Sequence, residues 1–461
     1  MTLYTIFGIL GGIALLITII RYFLQKPSNL IISFVQYFVA CLFIFSGLIK
    51  ENDTIGFSYK LEEYFEVFKT ADSVQVVDET PVMGNDTAFT KAETSGKIDT
   101  VISQKQIGTE KNISWKMVPP DSFYNRAMDF FHDHALELGF FILVMEVMLG
   151  LMLLIGVWKK ITLLFLFLMI AFFTFLTYYS AAYNAVQECG CFGDFLHMTP
   201  WQSFGKDILL LVLIIILIIG KKHISPVFAG KIQKVLLAVF LLFSVSFPLY
   251  TYNYLPVFDF RPYAIGKNIQ EGMKVIKDEK ADVYLIYKNK KTGETKEYPA
   301  NNYPWNDSIW TQTWEFADQH RIIIEEGIPA PIHDFSITTI EGSDYTEDIL
   351  NNPGYYFFLI CYDLDKTNKN AFGKINDFVK LSRQDSLPVI CLTATSERIE
   401  SFKKETGTDI DFYVTDGTQL KTMIRSNPGL MLLKQGTVID MWHYHSIPAF
   451  TDVKEKYFGK K

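Results

Sequence analysis

The sequence predicts two joined parts, a polytopic α-helical domain with six membrane spans and a soluble α/β domain. Two observations carry that prediction. Residues 1–50 and 135–255 hold only 15 of the 93 charged side chains, while the other 290 residues hold 78. Beyond Asp282, long apolar runs give way to short strands alternating with helices, the pattern of a layered α/β fold. The net charge of −7 has no basic cluster behind it, which excludes nucleic acid as a partner, because phosphate neutralisation needs grouped Lys and Arg. Five cysteines in 461 residues exclude a disulfide-dense scaffold.

A spanning helix needs about 20 apolar residues, because no water is present to satisfy its backbone groups. Six stretches approach this: Leu3–Ile20, Leu30–Ile49, Leu136–Trp158, Ile161–Ala185, Ile208–Gly220 and Val235–Tyr254. The fifth reaches full length only by starting near Trp201, with Lys206 and Asp207 expected at the interface. Arg21, Lys26, Lys159, Lys160, Lys221, Lys222, Lys231 and Lys234 all fall in alternate short loops, and the 186–206 loop holds only Lys206. The positive-inside rule then puts those basic loops in the cytoplasm, and the N-terminus and everything after Tyr254 outside. The first apolar run has no preceding cation and no small-residue cleavage site, so it reads as an uncleaved span.

The expected domains are 1–255, a membrane domain with an extracytoplasmic insertion at 51–134; 256–330, a small β-rich connecting region; and 331–461. Within the insertion, Tyr59, Leu61, Tyr64, Phe65 and Phe68 make a helical face suited to the membrane surface. Residues 70–120 read as a small β-rich excursion or a partly disordered stretch. The connecting region has a hairpin, Val283–Tyr287 and Lys296–Ala300 around Lys291-Thr292-Gly293-Glu294, and a further strand at Arg321–Glu325. Beyond Pro331 come strands at Tyr355–Cys361, Pro388–Thr393 and Phe412–Val414, with helices at Ala371–Arg383, Ser396–Glu405 and Thr418–Arg425. A hairpin, Gly429–Lys434 and Thr437–Trp442, closes the chain.

Pro331-Ile332-His333-Asp334-Phe335-Ser336-Ile337, then Gly342, and Asn427-Pro428-Gly429 before the last hairpin resemble the thioredoxin fold in its TlpA or peroxiredoxin-like form. The resemblance implies a cis proline at Pro428 facing the site where partners bind. The family's Cys-x-x-Cys is missing: Tyr362-Asp363-Leu364-Asp365-Lys366-Thr367-Asn368 follows the first central strand. A domain that docks a partner without dithiol chemistry is therefore expected. Cys361 and Cys391 lie on apolar strands and read as core thiols, with a pairing between adjacent strands as the alternative.

The most specific local feature is Gln187-Glu188-Cys189-Gly190-Cys191-Phe192-Gly193-Asp194, on the outward side after the fourth span. Two thiols separated by one glycine can close a small strained ring, and strain makes a disulfide exchange-prone. This run, after a tyrosine-rich fourth helix, resembles the MauE family, membrane proteins needed for methylamine dehydrogenase maturation and grouped with the DoxX-like superfamily. Phe45-Ser46-Gly47-Leu48-Ile49-Lys50 with Gly56-Phe57, and Glu146 with Gly150 and Gly156, look like the DoxX pattern. Joined to a thioredoxin-like tail, the whole resembles an uncharacterised DoxX-family group common in Bacteroidetes, over residues 1–68 and 135–461. DoxX is associated with a thiosulfate:quinone oxidoreductase, so the resemblance implies membrane redox work and a membrane quinone as cofactor.

Three readings of Cys189 and Cys191 remain open at this point: an exchangeable redox disulfide, a structural staple, or a soft-metal site with His197 and Met198. Glu146 lies mid-span, where an ionisable residue is expensive and by default functional; Lys50 and Arg126 are its expected partners, and an inter-helix structural hydrogen bond is the alternative. The pairs His132/His134 and His443/His445 read as interfacial or surface residues, with metal binding, helped by residues elsewhere, as the alternative for either. The functional expectation is an inner-membrane protein taking part in periplasmic thiol-disulfide or quinone-linked redox processes of envelope protein maturation, with a periplasmic protein partner. A non-catalytic assembly scaffold and a metal-handling protein are the alternatives.

Overall fold

The structure, a computed structural model, describes residues 2–25, 27–70, 73–80, 105–106, 109–117, 123–186, 190, 192–228, 230–325 and 327–459. The chain divides into two compact units, Met1–Phe258 and Asp259–Lys461.

Among the described residues of the first unit, six helices are long and apolar enough to cross a membrane: α1 (Leu3–Gln25), α2 (Leu30–Asn52), α5 (Ala135–Ile155), α6 (Lys159–Tyr183), α7 (Pro200–Ile219) and α8 (Gly230–Asn253). Their ends follow local chemistry. Asn29 caps α2 by accepting from the Ile32 amide at 3.1 Å, and Thr199 and Gln202 form a reciprocal capping box with Pro200 in the first turn of α7. Gly156, at φ 71°, ends α5 in a left-handed turn. The core joins residues from α1, α2, α5, α6 and α7, among them Leu10, Val39, Leu153, Leu166 and Ile214.

Between α2 and α5 run α3 (Thr54–Thr70), the strands β1 (Ser73–Thr80), β2 (Lys105–Gln106) and β3 (Thr109–Met117), and α4 (Phe123–Asp133). The strands form an antiparallel sheet in the order β1-β3-β2. The face expected to lie on the membrane surface is buried instead: Phe57, Leu61 and Phe65 of α3 pack with Ala135, Ile142 and Leu143 of α5. The residues that make α3 amphipathic are spent on a helix–helix contact that its own sequence does not reveal.

Among its described residues, the second unit contains two sheets. The expected hairpin and third strand form the antiparallel order β5-β4-β6, with β4 at Lys280–Asn289, β5 at Thr295–Pro299 and β6 at Trp314–Glu325. The larger sheet has the order β11-β10-β7-β8-β9, built from β7 (Tyr355–Ile360), β8 (Val389–Thr393), β9 (Asp411–Val414), β10 (Gly429–Lys434) and β11 (Thr437–His443). β7, β8 and β9 run parallel, and β10 lies antiparallel between β7 and β11. Helices Phe372–Gln384 and Ile399–Thr406 join the parallel strands and pack Phe372, Phe378 and Phe402 onto Phe357 and Phe412. The Asn427–Pro428 peptide bond, directly before β10, is cis. This is the α/β domain that the sequence predicts, and strand order together with the cis proline makes it thioredoxin-like.

Candidate functional site

Two glycines set the geometry of the membrane unit. A Cβ on Gly47 would come within 2.6 Å of Val147 Cγ2, and one on Gly150 within 2.8 Å of Ile44 Cγ1. Small residues of this kind let two helix backbones approach closely. Lys50 stands one helical turn after Gly47, and Glu146 one turn before Gly150, so the close crossing brings the two side chains together. Lys50 Nζ lies 2.8 and 2.6 Å from the two Glu146 carboxylate oxygens, and both residues are almost wholly buried. The rings of Phe57 and Phe173 flank the ammonium, with centroids at 5.6 and 4.6 Å, a favourable cation–π setting.

A second pair stands across a small cavity. Lys206 and Asp207, expected at the interface, are buried, at 6% and 0% exposure. The physical reason is pairing: Lys206 bonds to Asp207, whose other oxygen accepts from Thr177 Oγ1 at 3.0 Å. The cavity is about 20 Å³, room for one water molecule, and Ser46, Lys50, Glu146, Lys206 and Asp207 all line it. An equally small cavity shares Lys50 and reaches Lys60 and Tyr64 of α3. Glu51 completes the set, fully buried, with no hydrogen-bond partner for either carboxylate oxygen. Its carbonyl accepts from Thr54 and Thr251 at 3.0 and 2.6 Å. In the sequence, Glu51 looks like an ordinary charge at a span end; the nearest signal is its place directly after Lys50 in a turn that begins with Gly47.

Cys189 and Cys191 lie outside the described residues, but their neighbours in the chain do not. Val186 and Phe192 are fully buried. Gly190, at φ 64°, sits so close to α3 that a Cβ there would be 3.1 Å from Lys60 Cγ, and a left-handed φ is one that glycine adopts freely. Phe192 presents its ring to Lys206, 5.7 Å from ammonium to centroid, and stands 5.9 Å from the Phe45 ring. The residues beside the thiols thus rest on the Lys60 side chain, whose ammonium pairs with Glu63 at 3.1 Å, and on the Lys206–Asp207 pair. Of the other soft-metal residues, Met198 packs into the apolar core and His197 is exposed. Among the described residues, no group of three or more His, Cys, Asp and Glu side chains is placed to hold a metal.

Residues 120–220 match the family of the methylamine utilisation protein MauE. The MauE-matching segment runs from α4 through α7 and so contains Glu146, the 186–192 loop, Lys206 and Asp207, while Lys50 and Glu51 lie outside it. Residues 282–326 match a domain of unknown function, DUF8463, which coincides with β4 to β6. A solution structure of a proposed protein disulfide isomerase from Bacteroides thetaiotaomicron is 16% identical, over 27% of this chain and 83% of that one, with a TM-score of 0.23. No curated protein matches the chain.

In the thioredoxin-like domain, hydrogen bonds tie the segment after β7 to the cis-proline loop. Asn427 Nδ2 donates to the Asp363 carbonyl at 2.8 Å, and the Asn368 amide donates to the Asn427 carbonyl at 3.0 Å. The Thr367 hydroxyl lies 2.8 Å from Asn427 Oδ1. Cys361 and Cys391 are reduced and fully buried; burial, and then contact with Cys361, pushes the Cys391 thiol well above its ordinary range. His443, expected at the surface, is instead buried at the end of β11 beside Tyr444 and His445, and its Nδ1 accepts from the His445 amide at 3.2 Å. Burial, and then the neighbouring His445, pulls its pKa down to about 4. The pair His132/His134 lies at the end of α4, where His134 stacks on Phe130 at 4.3 Å.

Proposed function

We propose that this membrane protein takes part in thiol–disulfide exchange through Cys189 and Cys191, in an oxidising extracytoplasmic compartment, with the thioredoxin-like domain docking the protein partner. The inner membrane, with the 186–199 loop on the periplasmic side, is the setting that the distribution of Lys and Arg supports. The observation that supports the reading is the seating of the chain neighbours of the two cysteines, Gly190 against Lys60 and Phe192 against Lys206. The attacking species in such an exchange is the thiolate. In the exchange, one loop thiolate attacks a partner disulfide and displaces one partner thiolate. The second loop thiol then attacks the mixed disulfide, leaving the loop oxidised and the partner reduced by the same two electrons, and a further dithiol partner resets the loop. The two cavities beside Lys50, each about 20 Å³, are smaller than a quinone ring.

Thiol trapping in intact cells tests this. Cys189 and Cys191 are expected to move between reduced and oxidised forms as the external redox balance changes, and a Cys191→Ser or Cys189→Ser protein is expected to hold its partner as a mixed disulfide. A pair that stays oxidised under every condition, with function retained in the double Ser variant, makes the loop a staple and the protein a scaffold.

A further inference from the structure

At the cation-rich end of the membrane unit, Arg21 is buried at 5% exposure, one turn before the end of α1. Its Nη1 donates to the Tyr37 hydroxyl, and its Nη2 donates to the Ser225 carbonyl and hydroxyl at 2.6 and 2.8 Å. All three acceptors are neutral. Nε has no acceptor, and among the described residues no carboxylate pairs with this guanidinium. A buried cation without an anion is costly enough to be rare. The surroundings are rigidly built: a Cβ on Gly156 would be 2.6 Å from the Ser225 carbonyl oxygen, Gln25 donates to the Val227 carbonyl at 3.0 Å, and Lys159 donates to the Ile224 carbonyl at 2.8 Å.

Arg21 lines a pocket of about 240 Å³ whose walls are almost entirely apolar, among them Ile17, Ile20, Leu24, Leu154 and Phe228. Ile20, Leu24 and Phe228 are at least 41% exposed, so the pocket opens on the side of the helices that faces lipid. With a rise of 1.5 Å per residue, Arg21 stands about 6 Å inside the end of α1, toward the headgroup end of the span rather than its middle, where a long side chain can reach a lipid's glycerol and phosphate groups.

We propose that this pocket is a phospholipid site, in which the lipid phosphate supplies the missing counter-charge to Arg21 and one acyl chain fills the apolar cavity. Two features select this occupant. A soluble anion satisfies the charge and leaves the apolar walls empty, while a neutral isoprenoid fills the walls and leaves the guanidinium unpaired. The site is independent of the thiol loop, which belongs to the opposite end of the bundle.

The test is native mass spectrometry of the full-length protein in mild detergent, followed by re-lipidation. Wild-type protein is expected to retain one phospholipid, and after delipidation to regain thermal stability with dioleoyl phosphatidylglycerol but not with dioleoylglycerol or inorganic phosphate. Arg21→Gln is expected to lower phospholipid affinity by roughly tenfold. Because Arg21 also holds the 225 loop, Ile17→Trp is the companion variant: it fills the cavity, keeps every Arg21 hydrogen bond and is expected to lower lipid retention as much. Equal rescue by dioleoylglycerol or by phosphate alone, retention of an isoprenoid quinone in place of phospholipid, or undiminished lipid binding in both variants overturns the proposal.

Discussion

Separating Lys50 from Glu146 has a calculable consequence. Each partner is about 4% exposed, and the ammonium contacts both carboxylate oxygens. Removing one side of such a pair leaves an uncompensated buried charge and costs about 3–5 kcal/mol, whereas replacing both with apolar residues of similar volume is often neutral or stabilising. The two single variants are not equivalent. Glu146 is the twelfth residue of the 21-residue helix α5 and has no short route to water. Lys50 is two residues from the end of α2, and its long side chain can turn toward the headgroups. Lys50→Met is therefore expected at the upper end of the range and Glu146→Leu at the lower. At about 2 °C per kcal/mol for a unit of this size, the single variants are expected to melt roughly 6–10 °C below wild type. The double variant Lys50→Met/Glu146→Leu is expected within about 2 °C of it. The assay is thermal unfolding of the purified protein in nanodiscs, read as a double-mutant cycle. Additive losses, with the double variant the least stable of the three, would falsify the assignment of these residues as a buried pair.

Three further outcomes follow from the same geometry. Glu51→Gln is expected to leave stability unchanged or raise it by about 1–3 kcal/mol, because a carboxylate with no partner contributes only its desolvation cost; a marked loss in Tm would mean that Glu51 has an essential partner. His443 binds protons less readily when folded, with a pKa of about 4 against 6.5. Below pH 6.5 the unfolded chain takes up protons that the folded chain does not, so stability falls as pH drops from 6.5 toward 4, by about 3 kcal/mol in all. Amide exchange of β10 and β11, followed by mass spectrometry from pH 7 to 4.5, checks this, and His443→Phe is expected to flatten the profile. Cys361 and Cys391 are expected to resist maleimide at neutral pH until the protein unfolds; prompt labelling of either in the native state would contradict their placement in the core.

How much was legible in the sequence differed by element. All six spans were, because the absence of water imposes a length and an apolarity that no tertiary contact can supply. The strands and helices of the thioredoxin-like domain were legible too, since Tyr355–Ile360 and Val389–Thr393 are buried on both faces and read as continuous apolar runs. The charge cluster was legible only in part. Glu146 announces itself by its depth, but Lys50, Glu51, Lys206 and Asp207 all sit near span ends, where a charge ordinarily means water.

The sequence by itself determined the partition into a membrane unit and a soluble α/β unit, the span count and the absence of a dithiol after the strand Tyr355–Ile360, while the cis proline was implied only by the resemblance to the thioredoxin fold. These depend on composition, local periodicity and short motifs, all of which are properties of neighbouring residues. Only the tertiary structure decided that Gly47 and Gly150 bring Lys50 onto Glu146, that the apolar face of α3 is covered by α5, and that Arg21 is buried among neutral acceptors beside an apolar pocket. Each of those depends on which helix meets which, and at what distance, and the energy of a buried charge is set by that distance rather than by the residue's place in the chain.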